Sequence, residues 1–310
     1  MRVKVLGSAA GGGFPQWNCG CPNCWRLRRG ELKGQARMQA QIAVSSRPSS
    51  WILLNASPDL RQQILKDPEF APAEGARATP ISAIILTSAD SDCVMGLLHL
   101  REFQPLRIFA TAAVRRIVTE ENSLFRTLER SSPPVQWIDL TFDRPVAVFE
   151  QAASKGHENI FCQAVPLGGE FPDYASERLR RDLKKEEAVI GLELAQGGKK
   201  IFYAPGLPGC GTEWRRRAKE SDLALLDGTF WTDEELVSVR GSGKTARQMG
   251  HLPLSGANGL LGQMGNAGGA RRVLIHMNNT NPVLDEESSA NRAVRDAGWE
   301  VAYDGLEFEL

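Results

Sequence analysis

Three cysteines near the N-terminus have the spacing of a metal-binding cluster. Cys19, Cys21 and Cys24 form a C-x-C-x-x-C pattern. Three thiolates this close can bind one tetrahedral Zn²⁺ ion, which then needs a fourth ligand from elsewhere in the chain. Reduced thiols without a metal are one alternative, and a redox-active C-x-x-C pair is a weaker one because no thioredoxin-like βαβ pattern follows. We therefore expect a structural zinc site in a loop of about residues 15–30.

A second polar cluster follows a short apolar run. Residues 83–86 have the β-branched, apolar character of a buried strand, and the loop after them carries Asp90, Asp92 and Cys93. Carboxylates at the carboxyl end of a strand lie where α/β proteins place their ligands. The simpler alternative is that the Ser and Asp residues of this loop only cap the following helix. We expect a metal site here.

Two later strand ends and one loop carry further candidate ligands. The apolar run 223–226 leads into Asp227, and the run 273–275 leads into His276. His251 stands in a Gly-His-Leu-Pro segment, where it either points at a site or packs against its neighbours. Because parallel strands end at one edge of a sheet, these side chains and the Asp90 loop are expected to share one rim.

The composition restricts the class of protein. Lys+Arg and Asp+Glu both total 37, so the formal net charge is zero and neither a nucleic acid nor a membrane surface is expected as a partner. No apolar window reaches the length of a bilayer span, and the first apolar run is too short for a signal peptide. We expect a cytoplasmic protein. The six cysteines are unevenly spaced, which argues against a disulfide scaffold.

The elements that must position these residues alternate between strands and helices. Strands are predicted at 3–6 and in a hairpin formed by 41–45 and 50–55. Helices are predicted at 112–130 and 177–187. The length of 310 residues allows either one large domain or two of ordinary size.

Seven motifs between Leu6 and Pro282 occur in a characteristic order. They are LGSAAGGGFPQWNCGCPNC, NASPDLRQQI, GLLHLRE, FYAPGL, DGTFW, MGHLP and IHMNNTNP. In this order they resemble the metallo-β-lactamase superfamily and, within it, the coenzyme PQQ synthesis protein B family. The resemblance implies an α/β fold, a metallo-β-lactamase-like αββα sandwich, as a single domain over residues 1–310.

The same resemblance implies a role in making pyrroloquinoline quinone (PQQ), a redox cofactor cut from a ribosomal peptide. The family is linked to an iron- and O₂-dependent hydroxylation of a peptide-derived tyrosine precursor. Older family descriptions suggest a carrier or transport protein for PQQ or its precursor, and a degenerate metallo-hydrolase is a further alternative. The implied partners are the small-molecule or short-peptide precursor and other PQQ-pathway proteins, and a homodimer is left open.

The supply of histidines argues against the hydrolytic chemistry of the superfamily. Its hydrolases hold two zinc ions with an H-x-H-x-D-H motif, and the corresponding positions here are Ser88, Asp90, Asp92 and Cys93. The chain has only four histidines and none in this loop, so a two-zinc site cannot be assembled. Family members usually carry His at the position of Cys93, which here is either a soft thiolate ligand or a buried, inert side chain.

The remaining residues favour a single metal ion. Two imidazoles and one carboxylate with open positions are the ligands of non-haem Fe(II) oxygenases. Our hypothesis is that His251, His276 and either Asp92 or Asp90 bind one iron, with Asp227 orienting a histidine or acting as a base.

The zinc site and the iron site compete for one histidine. Related phosphodiesterase-like proteins supply the fourth zinc ligand from a histidine three residues after His276, where this chain has Asn279. Because Asn is a poor zinc ligand, either His276 turns to the cysteines or an unidentified residue binds there. His99 and His157 have no ligand-like neighbours, and no role in metal binding is expected for them.

Overall fold

The computed structural model describes residues 1–47, 49–72, 78–102, 105–130, 135–149, 159–265 and 269–310. The chain divides into two compact units. Unit 1 comprises Met1–Leu6, Gln41–Lys199 and Glu307–Leu310, and unit 2 comprises Gly7–Ala40 and Lys200–Leu306. The single domain expected from the sequence stays a prediction.

The described residues contain strands and short helices. The strands are β1 (Arg2–Gly7), β2 (Gln41–Arg47), β3 (Ser50–Leu54), β4 (Ile81–Ile85), β5 (Arg107–Ala110), β6 (Gln136–Asp139), β7 (Val146–Ala147), β8 (Phe161–Gly168), β9 (Val189–Gln196), β10 (Lys199–Ala204), β11 (Leu223–Asp227), β12 (Arg271–Ile275), β13 (Glu300–Val301) and β14 (Glu307–Glu309). The α-helices are α1 (Pro22–Arg28), α2 (Leu60–Lys66), α3 (Ser91–Val94), α4 (Ala112–Arg116), α5 (Glu177–Asp182), α6 (Thr212–Glu220), α7 (Glu235–Arg240), α8 (Leu260–Met264) and α9 (Ser289–Asp296). In the described part of the chain, none of the helices has both the length and the apolar composition that crossing a membrane requires.

Unit 1 contains a seven-stranded sheet in the order β14-β1-β2-β3-β4-β5-β6. The predicted hairpin is confirmed, since β2 and β3 pair antiparallel with Ile42 opposite Leu54. Strands β3, β4 and β5 are parallel, so their carboxyl ends meet at one edge. There the Asn55 side chain donates to Thr87 Oγ1 at 2.9 Å and accepts from the Thr87 N–H at 2.8 Å, which joins the loops after β3 and β4.

Two predicted long helices of unit 1 are interrupted. The segment 112–130 consists of α4, a π-helical turn and a 3-10 helix, separated at the extended residue Asn122. Three consecutive residues with β-branched side chains, from Ile117, have low helix propensity and coincide with the π-helical turn. The segment 177–187 is likewise α5 followed by a 3-10 turn, because Leu183 is extended between them.

The core of unit 1 is built from the apolar residues of its strands and helices. Leu53, Ile84 and Ile108 on the central strands are fully buried, and Val114 on α4 packs in the same cluster. Burial of each such side chain stabilises the fold by about 1.5–3 kcal/mol. Strands β7, β8 and β9 pair antiparallel and also belong to unit 1.

Unit 2 contains four parallel strands, β10 to β13. In the pairing of β11 with β12, Asp227 lies opposite Ile275, the residue before His276. The N-terminal segment of unit 2 reaches the same place, because Ala9 forms a parallel bridge with Met277. The register therefore brings the ends of β11 and β12 and the segment leading to the cysteines together.

Candidate metal centre

One group of potential metal ligands lies at the carboxyl ends of β11 and β12. Asp227, His251 and His276 each offer a ligand atom, and these atoms lie within 4.8 Å of one another. Asp227 is the last residue of β11, and His276 directly follows β12. His251 follows Gly250, whose φ of 81° is in the left-handed region that favours glycine. The structure thus brings together three of the residues predicted from the sequence.

The Asp227 carboxylate uses both of its oxygens in hydrogen bonds. Oδ2 accepts from His251 Nδ1 at 2.8 Å and from the Leu207 N–H at 2.9 Å. Oδ1 accepts from the Thr229 N–H at 3.0 Å and from the Thr229 hydroxyl at 2.5 Å. The side chain is 0% exposed. A buried carboxylate with four such contacts has little capacity left for a metal ion, so these contacts support an orienting role.

Thr229 links the Asp227 carboxylate to His276 through hydrogen bonds of its hydroxyl group. The Thr229 hydroxyl has one proton, and it donates that proton to the Asp227 carboxylate, because a hydrogen bond to a charged acceptor is stronger than one to a neutral acceptor. Thr229 Oγ1 is then the acceptor for His276 Nδ1, which lies 2.8 Å away. One carboxylate therefore orients both imidazoles, one directly and one through a hydroxyl. A role for Thr229 was not predicted from the sequence, although Thr229 lies two residues after Asp227 in the Asp-Gly-Thr segment.

These contacts select one tautomer for each histidine. With Nδ1 of each ring bonded to a side chain, Nε2 is the nitrogen that a metal ion would use. The rings of His251 and His276 are stacked, with centroids 5.5 Å apart and planes inclined by 24°. Burial by itself raises the pKa of Asp227, but the charge and hydrogen bond of His251 outweigh burial and leave the pKa lowered. The two predicted roles of Asp227, orienting a histidine or acting as a base, stay predictions.

The backbone at His276 is in an uncommon conformation. Its φ of 62° lies in the left-handed region, where residues other than glycine are infrequent and often functional. The next residue fixes it, since the Met277 N–H donates to Ser8 O at 2.9 Å and Met277 O accepts from the Ala10 N–H at 2.8 Å. Gly228 permits this packing, because a β-carbon there would lie 2.4 Å from Met277 Sδ.

The three N-terminal cysteines form the second group of potential ligands. The sulfur atoms of Cys19, Cys21 and Cys24 lie within 4.8 Å of one another, and Cys24 is fully buried. The expected loop is corrected in one respect: Cys24 lies on α1, and Cys21 is the N-cap residue of that helix. Pro22 at the first helical position favours this early helix start. Burial raises the pKa of Cys21 to about 12, whereas for Cys19 hydrogen bonds outweigh burial and lower the pKa.

Asn279 is the residue that faces the cysteines. Its Nδ2 lies 3.0 Å from Cys19 Sγ, 3.5 Å from Cys21 Sγ and 3.4 Å from Cys24 Sγ. The main chain is held by Asn23, whose amide donates to the carbonyl oxygen of Asn279 at 3.2 Å. The predicted competition for His276 thus has a geometric outcome: His276 lies with Asp227 and His251, and Asn279 lies with the cysteines.

The other predicted ligands belong to unit 1. Asp90 is the N-cap residue of α3 without a side-chain capping hydrogen bond, and its carboxylate accepts from Ser88 Oγ at 2.8 Å. Asp92 and Cys93 lie within α3. Burial, followed by the charges of Asp92 and Asp90, raises the pKa of Cys93 well above its usual value, which favours the thiol over the thiolate. Their sharing of a metal ion with the two histidines stays a prediction.

The two remaining histidines were expected to have no ligand role. His99 is an exposed residue in the 3-10 helix Met95–Leu100. His157 lies outside the described residues.

Glu235 is a buried carboxyl group that the sequence did not reveal. It is 8% exposed, and its Oε1 accepts from the Thr280 hydroxyl at 2.6 Å while its Oε2 accepts from the Trp231 N–H at 2.6 Å. Burial raises the pKa of Glu235 from 4.5 to about 7. Between these two pH values the folded protein therefore binds one proton more than the unfolded chain, and its stability falls as the pH rises.

We expect Glu235→Gln to remove this part of the pH dependence. The difference between the two pKa values corresponds to about 3 kcal/mol of unfolding free energy lost between about pH 4.5 and 7. The glutamine can keep both contacts, with Oε1 accepting from Trp231 and Nε2 donating to Thr280 Oγ1. Denaturant unfolding from pH 5 to 8 at fixed zinc concentration measures the slope. The exposed neighbour Glu234→Gln is the control, and an unchanged slope in Glu235→Gln would contradict the prediction.

Comparison with known proteins extends this description. Residues 50–277 match the family model described as a beta-lactamase superfamily domain. The crystal structure of Zn²⁺-bound PqqB from Methylobacterium extorquens is similar over 100% of both chains, with 35% identity and a TM-score of 0.90. The protein therefore has the metallo-β-lactamase fold, with two β-sheets and helices, as the sequence predicted.

Relatives of the same length identify the family more narrowly. The coenzyme PQQ synthesis protein B of Azoarcus sp. (strain BH72) is 43% identical over 314 residues, covering 100% of both chains. The protein of the same name from Nitrosococcus oceani is 41% identical over 313 residues, again covering 100% of both. This chain belongs to the coenzyme PQQ synthesis protein B family.

Proposed function

We propose that this protein acts in the synthesis of PQQ, where His251 and His276 hold one metal ion and a peptide-derived tyrosine precursor is hydroxylated with O₂. The family and its full-length relatives support the role in PQQ synthesis. The observation that carries the metal site is the network of Asp227, which contacts His251 Nδ1 directly and His276 Nδ1 through Thr229.

The donor set fits a single ion better than a pair. Two stacked imidazoles supply two nitrogen ligands, and Asp227 is committed to orienting them. Two imidazoles and one carboxylate with open coordination positions suit Fe(II) in oxygenases, and the two histidines would supply the imidazoles of such a set. Its carboxylate, Asp92 or Asp90, stays a prediction. A bound Fe(II) ion would supply the activation of O₂, which the amino acid side chains cannot provide.

Neighbouring side chains hold the imidazole of His251 in a tautomer and an orientation suited to binding a metal ion. The ionised Asp227 carboxylate favours a proton on His251 Nδ1 and so leaves Nε2 as the metal-binding nitrogen. Phe230 packs edge-on against the His251 ring at a centroid distance of 5.9 Å, which limits rotation of that ring. Such preorganisation lowers the cost of binding an ion, because the ligands need little rearrangement.

We also propose a structural zinc ion at Cys19, Cys21 and Cys24. The closely spaced sulfurs, two of them on buried cysteines, support this assignment, and the relative from M. extorquens is a Zn²⁺-bound protein. Thiolate ligands favour Zn²⁺, whereas imidazole and carboxylate ligands with open positions suit non-haem Fe(II). The two sites are therefore expected to bind different metals. Other proteins of the PQQ pathway are the expected partners.

The activity is tested with protein purified without O₂ and reconstituted with Fe(II). Hydroxylation places one oxygen atom of O₂ on the ring and reduces the other to water with two electrons, so the assay includes the tyrosine-containing precursor peptide and ascorbate as reductant. We expect a product heavier by one oxygen atom, labelled when isotopic O₂ is used. Saturable precursor or PQQ binding without O₂ consumption would favour the carrier alternative. Metal-dependent ester cleavage would favour the hydrolase alternative.

A further inference from the structure

The carboxylate of Asp304 fixes the backbone that supports the turn at His276. The residue after this histidine is held by Ser8, because the Met277 N–H donates to Ser8 O at 2.9 Å. Ser8 is fully buried, and its hydroxyl donates to Asp304 Oδ1 at 2.8 Å. Asp304 Oδ2 accepts from the Met38 N–H at 2.6 Å, and Met38 O in turn accepts from the Ser8 N–H at 2.9 Å. Both oxygens of one carboxylate therefore hold the segment on which Met277 rests.

Arg37 adds a buried positive charge to the same group of side chains. It is 6% exposed, and its guanidinium donates to Ser8 Oγ at 3.4 Å and to the carbonyl oxygen of Ala302. Burial lowers the pKa of Arg37, and the negative charges of Asp304 and Glu286 oppose this effect. Within the described part of the chain, Nε of Arg37 has no hydrogen-bond partner. A buried charge with an unbonded nitrogen is costly, so stability alone does not explain this pair of charges.

The same group also reaches the strand that precedes His276. The Ala302 N–H donates to Leu274 O at 2.9 Å, and Leu274 is two residues before His276 on β12. The turn is therefore held on both sides, before it through Leu274 and after it through Met277. The φ of 62° at His276 is uncommon for a residue other than glycine, and such a conformation persists only where the surrounding structure fixes it.

We propose that Asp304 is a positioning residue for His276. Through Ser8 and Met277, its carboxylate holds the left-handed turn that brings His276 Nδ1 to 2.8 Å from Thr229 Oγ1. The proposal rests on the metal site proposed above, in which His276 is a ligand. Asp304 acts through the backbone and is not itself a ligand. Its loss frees the segment at Ser8, and the imidazole of His276 then loses its fixed direction.

The test follows the imidazoles of His251 and His276 by nuclear magnetic resonance in protein without iron. The nitrogen-15 signals of a histidine ring report which nitrogen carries the proton and whether that proton is hydrogen-bonded. Asp304→Asn replaces one acceptor oxygen by a donor, and Ser8→Ala removes only the hydroxyl that contacts Asp304. In both variants we expect the His276 signals to move toward those of a free imidazole that exchanges between tautomers. The His251 signals should move much less, because Asp227 still holds that ring.

Asp222→Asn is the matched control for a merely structural carboxylate. Asp222 Oδ2 accepts from the Lys200 N–H at 2.9 Å, so it also holds the main chain of unit 2. It directly precedes β11, whereas His276 directly follows the parallel strand β12, so the two residues lie at opposite edges of the sheet. We expect Asp222→Asn to leave both imidazole signals and the Fe(II) affinity unchanged. Asp304→Asn should bind Fe(II) about 10-fold more weakly than the parent.

The outcomes separate this inference from the proposed metal site. Unchanged His276 signals in Asp304→Asn and Ser8→Ala would overturn the inference, and so would equal changes in Asp222→Asn. If Asp304→Asn does not fold, Ser8→Ala carries the same comparison. A parent protein that binds no Fe(II) would overturn the metal site, while the imidazole signals of the iron-free protein still decide whether Asp304 positions His276.

Discussion

His251→Ala is expected to abolish high-affinity uptake of Fe(II) and to leave the zinc content unchanged. The variant removes one of the two imidazoles at the proposed site, so the loss of affinity should exceed the roughly 10- to 100-fold effect of removing a residue that only orients a ligand. His276→Gly should act in the same way, and glycine accepts the φ of 62° at this position without strain. Anaerobic titration followed by metal analysis gives the iron and zinc content of each variant.

Graded variants make this experiment more specific. Asp227→Asn keeps the size of the side chain but weakens its hydrogen bond to His251, so an intermediate loss of about 10- to 100-fold is expected. The exposed His99→Ala is the control for removal of a histidine. Asp90→Asn and Asp92→Asn test the sequence-based prediction of a carboxylate ligand. Full iron binding by both His251→Ala and His276→Gly would refute the proposed metal site.

Cys24→Ser is expected to remove the structural zinc ion and to destabilise the protein. The sulfur of Cys24 is fully buried in the cluster, and a serine hydroxyl is a much poorer zinc ligand than a thiolate. An ion present at roughly a thousandfold excess over its Kd stabilises the folded state by about 4 kcal/mol, and loss of the ion forfeits that contribution. Denaturant unfolding of parent and variant, with and without zinc, measures the difference.

The control for this variant is Cys210→Ser, since Cys210 is an exposed cysteine outside the cluster. It should keep the zinc content and the stability of the parent. Chelation of zinc from the parent protein should reproduce the stability loss of Cys24→Ser, because both treatments remove the same ion. If added zinc stabilises Cys24→Ser as much as the parent, the ion does not bind at the cysteines.

The sequence by itself determined the fold class and the residues that could bind a metal. The hairpin of β2 and β3 and the strands that end at Asp227 and before His276 follow from apolar runs bounded by polar loops. Such runs are local in the sequence, and their apolar side chains favour burial whatever the rest of the fold. The shortage of histidines is likewise a property of composition, which no tertiary arrangement can change.

Only the tertiary structure decided which polar side chains meet. His276 and Asn279 are three residues apart, yet His276 contacts Thr229 and Asn279 contacts the cysteines. Thr229 is 47 residues from His276 and Cys19 is 260 residues from Asn279, so no local pattern encodes either contact. A hydrogen bond forms only within about 3 Å and in the right direction. Its partners therefore depend on strand register and on the turn at His276, which the packed chain sets as a whole.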